Sequence, residues 1–330
     1  MRLSGTAMRI LVTGGNGFIG SVVVRKLVQQ GHQVRCLLRA KSDTTRISDL
    51  QFERIIGDIC NLQSIDAAID GCEALIHLAS LSNWNDINSP LMDKIVIEGS
   101  KNILCSASKI PNIKLLFVSS SAAINGSKHP QIFNEDSDCT LNLTQYRYAA
   151  AKRTVEELCQ LAHHEGKHVV VVNPGEVYGP NDINFITSCN LIDFAKSWPV
   201  LTCTGGTNVV YIDDVADGII KALFHGRSGQ RYILGGDNLS VRELAALSLK
   251  IMKKQKPIMQ IPNLILQSAG QVASLCRLKF PIHPAVIPYA TKYWLMDNSK
   301  AKNELGLSFR NAEATLAPTI EWLFQEGHIS

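Results

Sequence analysis

The chain has 330 residues, 45% apolar and 19% charged, enough apolar material for one large α/β domain, or a domain plus a smaller lobe, and too much for global disorder. A formal charge of +4 with scattered cations offers no basic stripe, so no nucleic-acid partner is expected. Nine cysteines without a C-x-x-C pair disfavour zinc clusters and a disulfide framework, and residues 1–7 carry no apolar leader, so a cytoplasmic chain without a metal is expected.

Taken in chain order, residues 8–13 (MRILVT) form a short β-branched run ending at a glycine cluster, and residues 17–30 follow at helical spacing until Gly31. Strands are then expected at 34–38 and 52–56, a helix at 61–69, a strand at 74–78, a helix at 91–108, a strand at 114–119, a helix at 146–163 and a strand at 168–173. Six buried-type strands alternating with helices predict a parallel, doubly wound sheet. After Pro174 the pattern loosens. Residues 209–224 and 231–234 read as returns to the sheet, whereas 180–208 and about 236–330 read as insertions at the C-terminal ends of the strands. The expected division is a dinucleotide-binding part, 1–179 with about 209–235, and a smaller substrate lobe, 180–208 with about 236–330. The apolar stretch 257–278 is broken by Pro262, Asn263, Gln267, Ser268, Gly270 and Gln271, which suits a lid or core helix and not a membrane span.

Thr13 to Gly20 (TGGNGFIG) places Gly14, Gly17 and Gly20 directly after a strand and at the opening of a helix. Lacking Cβ atoms, such a turn can bend sharply and admit a pyrophosphate to the helix amides, so a Rossmann-type dinucleotide site is expected. The second strand ends Leu38-Arg39-Ala40-Lys41 with no acid before Asp43; Arg39 therefore favours a 2′-phosphate, and NADP over NAD, with Lys41 in reserve. Asp58, after the third strand, suits either the adenine amino group or the cap of the next helix.

Tyr148 and Lys152 stand four residues apart on one helix face, where an ammonium beside a phenol lowers its pKa and makes it an acid or base near neutral pH. A preceding strand ends in Ser119-Ser120-Ser121, whose hydroxyls could hold a substrate oxygen. His163 and His164, at the end of the same helix, suit its dipole better than a metal.

Four motifs together resemble the extended short-chain dehydrogenase/reductase family: TGxxGxxG at 13–20, His77-Leu78-Ala79-Ser80, YxxxK at 148–152, and 173–180 (NPGEVYGP). The resemblance implies Tyr148 as general acid/base, Lys152 also on the nicotinamide ribose, and Ser121 as the serine of the site, with Ser120 the alternative if the register shifts by one. It further implies cofactor contacts from Gly14, Gly17, Phe18, Ile19, Gly20, Arg39, Asp58, Ile59, Leu78, Ala79, Ser80, Pro174 and Val177. Two positions depart from the family: Val96 replaces its usual asparagine, and Asn173 its usual arginine. His77 is expected to be packed and hydrogen-bonded. A homodimer built from helices 91–108 and 146–163 is a family-level expectation, with Ile95, Val96, Ile103 and Leu104 able to face either a partner or the sheet.

Within the family, Ala122 and Ala123 after Ser121 lack the acidic pair of sugar dehydratases, and residues 205–214 (GGTNVVYIDD) lack the cation with which nucleotide-sugar enzymes hold a diphosphate. Ile132, Phe133, Tyr146 and Trp84 supply apolar surface instead. VRCLLR at 34–39, GCEALIHLA at 71–79 and SKAKNELG at 299–306 are similar to the dihydroflavonol reductase-like branch, implying NADPH-dependent reduction of a ketone or aldehyde on an apolar or aromatic molecule. Trp84, Phe133 and Tyr178 are the substrate-facing candidates. The alternatives are a nucleotide-sugar epimerase and a non-enzymatic NADPH sensor.

Overall fold

The computed structural model describes residues 7–268 and 285–330; the later part of the apolar stretch 257–278 lies outside the described residues. Strands β1 (Arg9–Thr13), β2 (Gln33–Leu38), β3 (Glu53–Ile56), β4 (Ala74–His77) and β5 (Lys114–Val118) alternate with helices α1 (Phe18–Gln29), α2 (Leu62–Ile69) and α3 (Gly99–Ser108). Further along come the two-residue β6 (Ile132–Phe133), helix α4 (Arg147–His164), β7 (His168–Pro174), β8 (Glu176–Tyr178), α5 (Cys189–Lys196), β9 (Val200–Thr202) and β10 (Gly206–Tyr211). Helix α6 (Ile212–His225), β11 (Arg231–Leu234), β12 (Asp237–Ser240), α7 (Val241–Ile251), β13 (Ile258–Gln260) and β14 (Leu295–Met296) complete the order needed here.

The main sheet has seven strands in the order β11-β7-β5-β4-β1-β2-β3, every neighbouring pair parallel. Its strands read as near-continuous apolar runs because helices cover both faces. Ile10, Val12, Val24 and Leu27 meet Ile219 and Leu223 of α6 on one face, while Leu11, Ile65, Leu75, Ile103 and Val155 pack under α2, α3 and α4 on the other. Crossovers leave β1 toward β2 and β4 toward β5, so the crevice at their C-terminal ends is the switch point where such sheets bind ligands.

Two expectations need correcting. Residues 209–224 do not return to the main sheet: β10 joins β8 and β12 in a separate three-stranded sheet, and α6 follows. The reason is period. Val215, Ile219, Ile220 and Leu223 recur at helical spacing behind Asp213 and Asp214 in the first turn, and these residues are buried against α1. Only β11 returns, as the seventh strand. The helix expected at 91–108 begins with a π-helical stretch, Asp93–Glu98, before α3, a widening typical of functional regions. Val96, at the family's asparagine position, is 2% exposed there, and Ile103 is fully buried, so both face the sheet.

Candidate active site

The first turn of the site is backbone. Gly14 has φ +73°, and a Cβ on it would lie 2.6 Å from the Ala79 nitrogen; a Cβ on Gly20 would lie 2.1 Å from the Gly14 carbonyl oxygen. Only glycines let β1 turn this tightly against the Leu78-Ala79 backbone. Gly17 is the N-cap of α1 and contributes no side chain, leaving the amides of Phe18, Ile19 and Gly20 facing outward with the positive end of the helix dipole. Beside them, Ser80 Oγ is buried with no hydrogen-bond partner. A cradle that a Cβ would fill, unpaired helix amides and an orphaned hydroxyl are what the pyrophosphate and ribose of a dinucleotide would satisfy, so the residues present fit NAD(P).

At the end of β2, Arg39 is exposed, and among the described residues its side chain makes no ion pair or hydrogen bond. Asp43, the first acid beyond it, is turned back onto Thr45, accepting from both its backbone nitrogen (2.9 Å) and its Oγ1 (2.6 Å), which pulls its pKa down. The cap of α2 is Asn61, whose side chain accepts from Gln63 N and Ser64 N. Asp58 is left exposed, with one carboxylate oxygen accepting from Cys60 N at 2.8 Å, and Ile59 packs against Gly99. A cation not anticipated from the sequence, Arg46, reaches over the glycine turn to the carbonyls of Asn16 (3.3 Å) and Asn181 (2.8 Å).

His77 sits at the floor between Thr13 Oγ1 (2.7 Å) and Ser100 Oγ (3.2 Å), and burial pushes its pKa down to about 3. It is a neutral, packed imidazole, as its flanking sequence suggested. Pro174 and Val177 lie on β7 and β8 at the far wall.

Helix α4 brings Tyr148 and Lys152 together, the ammonium 5.9 Å from the phenol ring centroid. Lys152 Nζ donates to the Val118 carbonyl at 2.9 Å and is 6% exposed; burial lowers its pKa to about 8, with Glu156 one turn on opposing that fall. The Tyr148 phenol is raised, not lowered: burial outweighs the pull of the neighbouring Ser120 hydroxyl. The sequence-based expectation of a depressed tyrosine fails in this geometry because the ammonium is directed at a carbonyl and the phenol loses water. Ser120 Oγ also accepts from Ala122 N at 3.2 Å. Ser121 opens the following turn, 8% exposed, and its side chain makes no hydrogen bond among the described residues. The structure thus sets Ser120 against the tyrosine and leaves the Ser121 hydroxyl free for another oxygen.

Three consecutive residues at the end of β5 are gripped by side chains. Lys152 holds Val118; Glu156 Oε1 accepts from Ser119 Oγ at 2.5 Å; Asn173 Nδ2 donates to the Ser120 carbonyl (2.9 Å) and to Glu156 Oε1 (2.6 Å). The other oxygen of Glu156 pairs with Arg231 at 2.9 Å. Asn173, where the resemblance led to the expectation of arginine, donates to Glu156, and Glu156 takes its cation from the neighbouring strand β11. Glu156 was detectable in the sequence, four residues beyond Lys152 on the same face; Arg231 carried no local signal.

Trp84 Nε1 donates to the Ile186 carbonyl at 2.8 Å, and its ring meets Tyr289 edge-on at 5.7 Å. Tyr289 meets Tyr146 at 5.2 Å and stacks on Trp294 at 5.7 Å, and Tyr148 packs in the same apolar clusters. The Tyr289 hydroxyl is buried without a strict hydrogen-bond partner. Neither Tyr289 nor a four-ring group was apparent from sequence. Phe133 and Tyr178, expected to face substrate, do not. Pairing of β6 with β14 tucks Phe133 inward against Trp294 and Met296 at 4% exposure, and Tyr178 is fully buried, donating to Glu176 at 2.8 Å. On β10, Asn208 is 1% exposed and packs against Gly175 and Gly235, a structural position with no cation.

A seven-stranded parallel sheet with this glycine turn and this Tyr/Lys helix defines a class, and the comparisons agree. Residues 10–235 match the NAD dependent epimerase/dehydratase family, and the chain belongs to it. It is an NAD(P)-dependent enzyme of the extended short-chain dehydrogenase/reductase type. A Synechocystis protein provisionally named dihydroflavonol 4-reductase is 29% identical over 329 residues, covering 96% of this chain and 95% of its own. Sterol demethylase protein B of Methylococcus capsulatus is 26% identical over 98% of this chain and 100% of its own. The crystal structure of gox2253 superposes with a TM-score of 0.81 at 27% identity, covering 97% of this chain and 99% of that one.

Proposed function

We propose that the chain is an NADPH-dependent reductase of a ketone or aldehyde carried on an apolar or aromatic molecule. The observation that carries this is the pair of half-buried rings Trp84 and Tyr289, in edge contact beside Tyr148 and backed by the buried Tyr146 and Trp294: flat apolar surface favours a flat apolar substrate. The nicotinamide of a dinucleotide held at the glycine turn would supply the hydride. Tyr148 gives the proton to the carbonyl oxygen, Lys152 stabilises the phenolate left behind, and Ser121 holds that oxygen. Burial keeps Tyr148 protonated until the oxygen develops charge, which suits a proton donor. Preference for NADPH is supported by the unpaired Arg39 and by the engagement of Asp43 with Thr45. Arg39→Ala is expected to weaken NADPH binding by about 10- to 100-fold with NADH little changed, read by nucleotide fluorescence.

The competing reading is a nucleotide-sugar epimerase. Calorimetric titration of UDP and a UDP-sugar into the NADP⁺-loaded protein separates the two. Micromolar binding overturns the reductase; absence of heat, followed by turnover on a panel of aromatic and alicyclic ketones, supports it.

A further inference from the structure

Trp198, Leu201, Met259, Leu264 and Ile265 are 69%, 39%, 55%, 76% and 59% exposed. They belong to the β9–β13 pair and to the segments that flank it. β9 and β13 pair in parallel with Leu201 opposite Met259; Trp198 stands two residues before β9, and Leu264 and Ile265 lie on the helical turn 263–268 that follows β13. The turn is firmly seated from beneath. Asn263 bonds both the nitrogen and carbonyl of Thr204, Gln267 donates to Thr291 Oγ1, and Leu266 is buried with Cys203 and Ile287. Its two outward apolar residues are therefore exposed on a turn that is held from beneath, an arrangement that on monomer surfaces marks an interaction site.

The border of this patch is basic. Lys256 Nζ donates to the Ala195 and Ser197 carbonyls at 2.5 and 2.8 Å, and Lys254 to Ala195 at 3.4 Å, which brings both ammoniums to the end of α5 beside Trp198. Lys196 and Lys253 are exposed in the same region without ion pairs among the described residues, and Asp193 is the single carboxylate in α5 and the loop 252–257. Exposed apolar residues flanked at the Trp198 end by the exposed ammoniums of Lys196 and Lys253 match the interface of an anionic bilayer, where the apolar side chains enter the headgroup region and those ammoniums meet phosphate.

We propose that this face docks the protein on the surface of an anionic phospholipid membrane. Among the described residues no helix is long and apolar enough to cross one, and the docking proposed is an attachment at its surface. Leu266 and Ile287 connect the docking turn to the short helix Ile287–Ala290, whose Tyr289 borders Trp84 and Tyr146. The docked face lies one packing layer from the aromatic walls, and a membrane-dissolved substrate would enter there; that last step, unlike the docking itself, rests on the reductase reading.

Co-sedimentation with phosphatidylcholine vesicles containing 30% phosphatidylglycerol tests the docking without any substrate. The 330-residue chain is expected to bind these vesicles, to release as salt is raised, and to bind pure phosphatidylcholine at least about tenfold more weakly. Trp198 fluorescence should shift to the blue on binding, and W198F should lose that shift. The pair L264E/I265E should abolish binding and K196E/K253E weaken it about tenfold or more, with circular dichroism and NADPH affinity unchanged in both. No binding by the natural protein, or undiminished binding by L264E/I265E, overturns the proposal. So does a dimer in sedimentation velocity that L264E/I265E converts to monomer, since a second copy would then cover the patch. Vesicle binding without turnover of any ketone would count against the reductase reading alone.

Discussion

Between β1 and α1 the ligand site is made by backbone, whereas around Tyr148 it is made by side chains drawn from distant stretches of chain. In the first region every requirement is local: Gly14 must adopt φ +73° and lie against Ala79, and the helix that follows must leave its amides open. In the second, α4 provides Tyr148 and Lys152, but the serine turn is steadied by Glu156, Asn173 and Arg231, and the walls come from Trp84, Tyr289 and Trp294. One region binds a constant group and tolerates little change. The other, which in the proposed reductase would read the substrate, has its pieces held by tertiary contacts.

The sharpest way to separate the two is Tyr148→Phe. Removal of the proton donor is expected to lower kcat about 10²- to 10⁴-fold on any ketone that the natural protein reduces, while NADPH affinity stays within a factor of a few. Measured turnover and nucleotide fluorescence give both numbers. An equal loss of nucleotide affinity would show that the phenol belongs to the cofactor region after all.

Glu156→Gln tests the support behind the side-chain region. It leaves Arg231, whose side chain is 21% exposed, without its carboxylate, and a loss of about 3–5 kcal/mol in denaturant unfolding is expected. The pH behaviour is the finer readout. Folded Lys152 titrates at about 8 against an ordinary 10.5, so the folded state releases a proton before the unfolded chain does. Stability from this group therefore rises as pH climbs from about 8 to 10.5, and below 8 the buried charge is a cost. Activity that needs the ammonium should fall as pH rises through about 8. Glu156 raises the Lys152 value, so in Glu156→Gln that alkaline limb should move to lower pH. His77 and Cys159 share Lys152's surroundings, but His77 is neutral across this range and burial pushes the Cys159 thiol well up, so neither should supply the limb.

For the backbone region the matching change is Gly14→Ala. Strain at positive φ together with a Cβ 2.6 Å from the Ala79 nitrogen should destabilise the protein by about 1–3 kcal/mol, seen as a lower Tm, and weaken NADPH and NADH alike.

The same contrast explains how much could be read from sequence. The glycine turn, the main strands, α4 with its Tyr/Lys pair and the packed His77 follow from local spacing, because each is specified within a few residues. Arg231 reaches Glu156 across 75 positions and Trp84 reaches Ile186 across 102, and no periodicity encodes such meetings. Phe133 and Tyr178 were misread for the same reason: an aromatic residue near a motif looks alike whether strand pairing turns it inward, as β6 and β8 do, or outward. Helix α6 was misread differently, since Val209, Val210, Tyr211 and Ile212 are strand-like before the helical period begins.

Trp84 offers the smallest and most discriminating test, because among the three substrate-facing residues expected from sequence it alone stays half-buried while Phe133 and Tyr178 are buried, and it packs in one apolar cluster with Tyr148. Trp84→Phe keeps an aromatic ring against Tyr289 and removes the indole donor to Ile186 together with part of the ring's volume. A neutral hydrogen bond of this kind contributes about 0.5–1.5 kcal/mol, so KM for an aromatic ketone should rise a few-fold, with kcat and NADPH affinity unchanged. Such a split would mean that the 180–188 segment is held over the substrate end by Trp84 and contributes to uniform binding. A fall in kcat with KM unchanged would place the segment's influence on the transition state, and the tryptophan would then be aligning the carbonyl with Tyr148, beyond closing a wall.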